Sequence, residues 1–131
     1  MAEIVQHLVY RAASHDHSKL SGLEKQTFDA ISPMLSKITY GSEEYRENLR
    51  KAGDGIKQHH HSNRHHPEFF NDGISGMTLI DLIEMFCDWK AGSLRHPDGD
   101  LANSIAINKN RFAIADQLIR IFENTQRELD W

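Results

Sequence analysis

The chain has 131 residues, a formal net charge of −4, 39% hydrophobic residues and 26% charged residues. This length predicts one domain over residues 1–131, and the apolar content excludes a disordered chain. The acidic balance argues against extended nucleic-acid binding, which requires a positive surface. The single cysteine, Cys87, excludes an internal disulfide. We expect a cytoplasmic protein, because no apolar run approaches the roughly 20 residues of a membrane helix and the first residues lack the pattern of a signal peptide.

The first part of the chain has helical periodicity. Apolar residues recur at helical spacing between Ile4 and Ala12 and predict a first helix over residues 2–13. Ser21 and Glu24 have the spacing of a capping box and therefore predict the start of a second helix. Pro33 is expected to disturb or end that helix.

A third, polar helix is predicted next. Ser42 is a suitable N-cap, and the two glutamates that follow it favour a helix N-terminus. This helix can continue into the histidine-rich segment, although Gly53 and Gly55 weaken it in the middle. A loop follows over residues 66–76, because Pro67 and an Asn-Asp-Gly sequence interrupt regular structure.

The second half of the chain is also helical. Thr78 and Asp81 predict the start of its most apolar helix, and residues 95–99 form a turn-rich loop. Asp100 is the predicted N-cap of one or two closing helices over residues 101–124. Since no segment shows strand alternation, we predict an all-α bundle of about five or six helices. The residues of the closing helices that are expected to point inward are Ile105, Phe112, Leu118, Ile121 and Phe122.

Histidine is overrepresented, and the histidines are clustered. Nine residues are histidine. His15 and Asp16 are adjacent at the end of the first predicted helix, and Lys19 follows them. An imidazole beside a carboxylate suits a divalent ion of borderline hardness, and Lys19 would neutralise a bound anion. The second cluster consists of His59, His60, His61, His65 and His66.

The spacing of the second cluster brings pairs of imidazoles together. On a continuous helix His59 and His66 face the same way, and so do His61 and His65. The five cannot all bind one ion, and a solvated face or a pH-sensitive patch is the alternative interpretation. Two histidine-rich segments in one small chain favour a common target. The predicted metal ligands in this cluster are His59, His65 and His66.

Three carboxylates share one face of the apolar helix. Buried carboxylates are costly unless they are paired or coordinated. The Thr78 capping box accounts for Asp81. Asp88 is therefore the predicted carboxylate ligand, with Glu84 as the second candidate.

These features resemble the HD superfamily, whose all-helical, metal-dependent phosphohydrolases hold one or two metals with a His-Asp pair and distant histidine and aspartate residues. The matching residues here are His15-Asp16, the downstream histidines and Asp88. His7 lies only eight residues before His15, much closer than the first metal histidine of the HD pattern, so we expect it to be an ordinary helix residue.

A narrower resemblance covers about residues 10–125. It is to an uncharacterised, HD-like family of phage and bacterial proteins that carries a domain-of-unknown-function label. It rests on long motifs, namely RAASHDHSKL, TYGSEEYRENL, HHHSNRHHPEFF, GMTLIDLIEMFCDWKAGSLRHPDGDLANSI and NKNRFAIADQL.

The charges beside the motifs favour an anionic ligand. Together with the HD resemblance, they predict a phosphohydrolase of a nucleotide or another small phosphate ester, with one or two divalent metals (Mn, Fe, Zn, Ni, Co or Mg). Lys19 and Arg64 would stabilise the phosphate charge, and Glu84 or a spare histidine would carry a proton. His96 is either a surface residue or a substrate contact. The positive residues near the motifs are Lys19, Arg64, Lys90, Arg95 and Arg111.

Two other functions remain open from the sequence. Some HD proteins are di-iron oxygenases, and mixed histidine and carboxylate ligation suits iron equally well. A non-catalytic nucleotide-binding module, in which the metal only stabilises a small fold, is the other alternative. A homodimer is also expected, because the chain is short and its first helix is apolar.

Overall fold

The computed structural model describes residues 1–96 and 98–131; Pro97, in the predicted turn over residues 95–99, lies outside them. The described part contains seven α-helices and no β-strand, which confirms the all-α prediction and exceeds the expected number of helices. None of these described helices is long and apolar enough to cross a membrane. The helices are α1 (Ala2–Ser14), α2 (Gly22–Leu35), α3 (Glu43–Ala52), α4 (Asp54–Ser62), α5 (Leu79–Ser93), α6 (Leu101–Phe112) and α7 (Asp116–Glu128); 3-10 turns cover His17–Leu20, Pro67–Phe69 and Gly73–Gly76.

Three predicted helix starts are confirmed by their caps. Ser42 accepts a hydrogen bond from the Tyr45 backbone N–H, and Asp100 accepts one from that of Ala102. Thr78 begins α5 with a complete capping box. The capping box predicted at Ser21 is wrong: within the described residues its side chain makes no capping bond.

The helices α2 and α3 end close to the helix-breaking residues noted in the sequence, Pro33 and Gly53. Helix α2 passes through Pro33 and ends at Leu35. The polar helix does not continue into the histidines, because Gly53 adopts a positive φ of 59° and separates α3 from α4. Helix α4 then ends at Ser62, so His59 and His66 do not lie on one continuous helix.

Two apolar clusters form the core. The first joins α5, α6 and α7 around Met85, Phe86 and Phe122. The second joins α2, α3 and α4 around Ile31, Leu35 and Ile56. Ile121, which was predicted to point inward, is 52% exposed, because the buried face of α7 carries Ile119 and Phe122 instead.

Helix α1 lies against α5 but stays outside both clusters. Every one of its residues is at least partly exposed. Its apolar side chains, which include Val5, Val9 and Tyr10, face solvent. The contacts of this helix with α5 include the ion pairs of Arg11 with Asp81 and Glu84.

Candidate metal centre

Three parts of the chain meet at the centre. The first is the turn after α1, which carries His15 and Asp16. Asp16 has a φ of 56°, a left-handed conformation that aspartate tolerates better than most residues, and this turn ends α1 and starts the following 3-10 turn. The second part is the end of α4 with the loop after it, and the third is the polar face of α5.

Asp16 lies in the middle of these groups. Its Oδ1 is 3.4 Å from Nε2 of His59 and 3.5 Å from Nε2 of His65. Its Oδ2 is 3.5 Å from Nε2 of His15 and 2.5 Å from Nζ of Lys19. Asp16 Oδ1 and His65 Nε2 are both buried, and neither has a hydrogen-bond partner in the described part of the chain. Buried polar atoms are rarely left in this state.

Two overlapping sets of donor atoms result. The donor atoms of His15, Asp16 and His65 lie within 4.8 Å of one another, and so do those of His59, His65 and His66. The Nε2 atoms of His59 and His66 are 2.9 Å apart. Nitrogen and carboxylate oxygen at this density suit a divalent transition metal, and His65 is common to both sets.

Carboxylate oxygens lie within 3.5 Å of the Nδ1 atoms of three of these imidazoles. Glu84 Oε1 lies 2.9 Å from Nδ1 of His15 and 3.4 Å from Nδ1 of His65. Glu24 Oε2 lies 3.0 Å from Nδ1 of His59. A carboxylate on Nδ1 keeps the proton there and turns the lone pair of Nε2 toward the centre, which is the arrangement found around metal-bound histidines.

Both carboxylates are themselves held in place. Ser18 donates a hydrogen bond of 2.5 Å to Glu24 Oε2. Arg11 contacts the carboxylate of Glu84 and donates a hydrogen bond of 2.9 Å to Asp81 Oδ1. The sequence analysis missed Arg11, and it interpreted Glu24 only as a helix cap; both make contacts with residues far away in the chain.

The guanidinium of Arg64 contacts Asp81 and not the candidate metal ligands. Its guanidinium donates to both carboxylate oxygens of Asp81, at 3.1 and 2.9 Å. Burial raises the pKa of Asp81, but the hydrogen bonds from Arg64, Thr78 and Arg11 outweigh it and lower the value to about 2. Arg64 therefore neutralises a buried carboxylate rather than contacting the space in front of the histidines.

The electrostatics of the cluster favour an additional cation. Hydrogen bonds to the carboxylates of Asp88 and Glu84 raise the pKa of His15 to about 10, so without a metal this ring is protonated at neutral pH, and a metal bound at its Nε2 would displace that proton. Burial lowers the pKa of His59 and His66, which stay neutral and able to donate a lone pair. Asp88 Oδ1, predicted as a ligand, lies 3.5 Å from Nε2 of His15. The neutral imidazoles of His59 and His66 and the carboxylate of Asp16 are donor types that a divalent metal requires.

A cavity of about 180 Å³ opens beside the centre, between the two apolar clusters. Lys19, His59, His66 and Asp88 line one end of it. Of the five positive residues singled out from the sequence, Lys19, Arg95 and Arg111 line this cavity. The other two have different contacts, since Arg64 binds Asp81 and Lys90 lies 5.9 Å from the ring centre of Trp131.

The remaining histidines divide into two groups. His96 is half-buried and lines the cavity, and its Nδ1 donates to the Ile38 carbonyl at 2.7 Å. His60 also lines the cavity, where burial lowers its pKa to about 4. His7, His17 and His61 are exposed, and His7 was expected to be an ordinary helix residue.

Comparison with known proteins gives one match. No curated protein and no solved structure matches the chain. A family model described as a family of unknown function, DUF5662, matches residues 1–129. Because this match covers nearly the whole sequence, the chain belongs to the DUF5662 family.

Proposed function

We propose that this chain is a metal-dependent phosphohydrolase that acts on a nucleotide or another small phosphate ester. The observation that supports this most directly is the pair of buried atoms, Asp16 Oδ1 and His65 Nε2, that lack hydrogen-bond partners among the described residues. They face one another at 3.5 Å beside further imidazole nitrogens. A divalent cation would satisfy both atoms at once.

The residues that would hold the metal come from both overlapping sets. Several imidazoles favour Mn, Fe, Co, Ni or Zn over Mg, which prefers oxygen ligands. The two sets allow one or two ions per chain. A metal bound here supplies a Lewis acid, which lowers the pKa of water toward neutrality. The ligand residues would be His15, Asp16, His59, His65 and His66, with Asp88 beside them.

Lys19 is placed to stabilise a negatively charged substrate. Its Nζ lies 2.5 Å from Asp16 Oδ2 and 4.3 Å from the ring centre of Phe28, and the side chain lines the cavity. The ammonium group is therefore fixed next to the ligand carboxylate, where it can offset charge that develops on a phosphoryl oxygen. Arg95 and Arg111 also line this cavity, but each is paired with a carboxylate, Asp88 and Glu68 respectively, so Lys19 is the cation assigned to the substrate.

Glu84 is better suited to positioning than to proton transfer. Burial raises its pKa, but hydrogen bonds from His15 and His65 and the charge of Arg11 outweigh this and hold the pKa below its usual range. A carboxylate of low pKa is a poor carrier of protons near neutrality. We therefore assign Glu84 to fixing the orientation of His15 and His65.

The test is a combined metal and activity measurement. The protein is purified without a nickel column, its metal content is measured, and phosphate release is followed with nucleotides and simple phosphate esters in the presence of Mn, Fe, Zn or Mg. We expect bound metal and metal-dependent phosphate release, both lost in Asp16→Asn. Iron-dependent oxygen uptake would instead identify an oxygenase, and stoichiometric metal with tight nucleotide binding but no turnover would identify a binding module; either result would overturn the proposal.

A further inference from the structure

The cavity has a second set of polar groups besides the candidate metal ligands. We call the part of the cavity that they line the distal pocket and define it by Tyr40, Tyr45, His96, Ser104 and Asn108. The proposed reaction uses none of these residues. They come from α3, α6 and the two loops that precede α3 and α6.

The polar groups of the distal pocket have unused hydrogen-bonding capacity. Asn108 is only 1% exposed, and its Nδ2 donates one long hydrogen bond, 3.4 Å, to the Tyr40 hydroxyl. Its Oδ1 accepts no hydrogen bond from any residue that the structure describes, and the hydroxyls of Ser104 and Tyr45 are equally without partners there. None of these three atoms is among the fully buried atoms that lack a partner, so each keeps some access to solvent and can reach a partner inside the cavity.

The walls of the distal pocket are aromatic rings that pack against one another. The ring of Tyr45 lies 5.1 Å from that of Tyr40 and 5.6 Å from that of His96, both in edge-to-face contact. The His96 ring is also anchored through its hydrogen bond to the Ile38 carbonyl. Trp89 and Phe112 extend the aromatic lining. Rigid aromatic walls favour packing against a flat ring.

The residues that define the distal pocket include no carboxylate, lysine or arginine. Burial raises the pKa of Tyr45 to about 12, so its hydroxyl is a neutral donor. The guanidinium of Arg111 donates to Glu68 at 2.7 Å, and that of Arg95 lies 3.6 Å from Asp88 Oδ1. Both cations are thus paired with carboxylates, which makes a second phosphate a poor match for the distal pocket.

We infer that the distal pocket binds an uncharged, flat ring that carries both hydrogen-bond donors and acceptors, of the nucleobase type, and that Asn108 determines which ring is accepted. The inference rests on the proposed function only for the idea that the same molecule also carries a phosphate. The amide of Asn108 offers one donor and one acceptor on a buried, rigid helix. A site built in this way rejects a ring that leaves its polar groups unpaired.

The experiment uses probes that carry no phosphate. Uridine, cytidine, adenosine and guanosine are titrated separately into the chelator-treated protein, with ribose and inorganic phosphate as controls, and binding is followed by calorimetry and by NMR. We expect one nucleoside to bind more tightly than the others and ribose to bind far more weakly. Asn108→Leu should weaken the preferred nucleoside at least about tenfold, whereas Asn103→Leu, an exposed change on the same helix, should not.

A second variant at the same position tests the inference even if Asn108→Leu does not fold. Asn108→Asp retains the shape but removes the amide donor, so the order of preference among the four nucleosides should change. An unchanged order in a folded Asn108→Asp protein would overturn the inference. Absence of binding by all four nucleosides, or ribose binding as tightly as they do, would also overturn it. None of these outcomes depends on metal or on phosphate release, so failure here is distinct from failure of the proposed reaction.

Discussion

The Nδ1 atom of His59 lies 3.0 Å from Oε2 of Glu24, although the two residues are 35 positions apart in the chain. Both side chains are 2% exposed. The contact links α2 to α4 and fixes the imidazole so that its Nε2 atom faces Asp16. Glu24 thus orients the ring of His59, as Glu84 orients the rings of His15 and His65.

Glu24→Gln should therefore weaken metal binding without removing a ligand. The amide is a much poorer acceptor for the Nδ1 proton of His59, and loss of such outer partners costs about 10- to 100-fold in metal affinity. The measurement is competition for Zn or Mn against a chelator of known affinity. Glu123→Gln changes an exposed glutamate on α7 and is the matched control. Equal affinities of Glu24→Gln and the parent protein would contradict the positioning role.

Asp16→Asn should lose metal while the fold is retained. Asparagine tolerates the left-handed backbone at this position as well as aspartate does, so the turn should persist. The variant lacks the charged oxygen that faces the imidazoles, and metal content after dialysis should fall well below that of the parent. Asp130→Asn is the control, since Asp130 has a similar φ of 51° and is exposed. Added metal should raise the melting temperature of the control but not that of Asp16→Asn.

Lys19→Met should separate turnover from metal binding. An ammonium group does not coordinate a cation, so metal content should be unchanged. Loss of a fixed positive charge beside the phosphoryl oxygens should reduce kcat by about a hundredfold or more. Lys37→Met, an exposed lysine beyond α2, serves as the control. Full activity in Lys19→Met would show that other cations carry this role.

Asp81 gives a prediction for stability in acid. Its pKa in the folded protein is about 2, below the ordinary value of 3.8, so its ionised form contributes stability above pH 3.8. This contribution is lost as the pH falls toward 2, because the unfolded chain takes up the proton first. The free energy of unfolding should therefore drop more steeply between these pH values in the parent than in Asp81→Asn.

Near neutral pH the same substitution should destabilise the protein by about 2 kcal/mol or more, because it leaves the charges of Arg11 and Arg64 without their partner. Chemical denaturation at a series of pH values measures both effects. Asp29→Asn, at a position that is 64% exposed, is the control. A parallel pH dependence of Asp81→Asn and the parent would refute the assigned ion pairs.

The helices were predictable because their signals are local. Ser42, Thr78 and Asp100 each act within three residues of themselves, and the structure confirms all three caps. The same reasoning failed at Ser21, since a glutamate three residues later can serve either as a cap or as a partner for something remote. Glu24 binds His59, and nothing in the neighbouring sequence specifies that contact.

In the candidate site, the sequence likewise predicts the residue types better than the partners of those residues. The sequence indicates His15, Asp16 and the later histidines because they are clustered by residue type. It does not indicate which carboxylate pairs with which cation, because that depends on how helices pack. Arg64 was expected at the substrate and instead binds Asp81, 17 residues later, while Arg11 reaches across from α1 to α5.

Helix α1 is held to α5 by ion pairs, and the burial of their carboxylates determines how the helix responds to salt. Arg11 and His15 contact carboxylates of α5, whereas the residues of α1 itself remain partly exposed. The carboxylates of the two Arg11 pairs are buried, since Asp81 is 0% and Glu84 9% exposed, and salt screens buried pairs much less than exposed ones. Raised ionic strength should therefore leave α1 in place, whereas removal of the Arg11 guanidinium should loosen it. Because α1 ends at Ser14, two residues before Asp16, a loosened helix would also displace a carboxylate of the candidate metal centre.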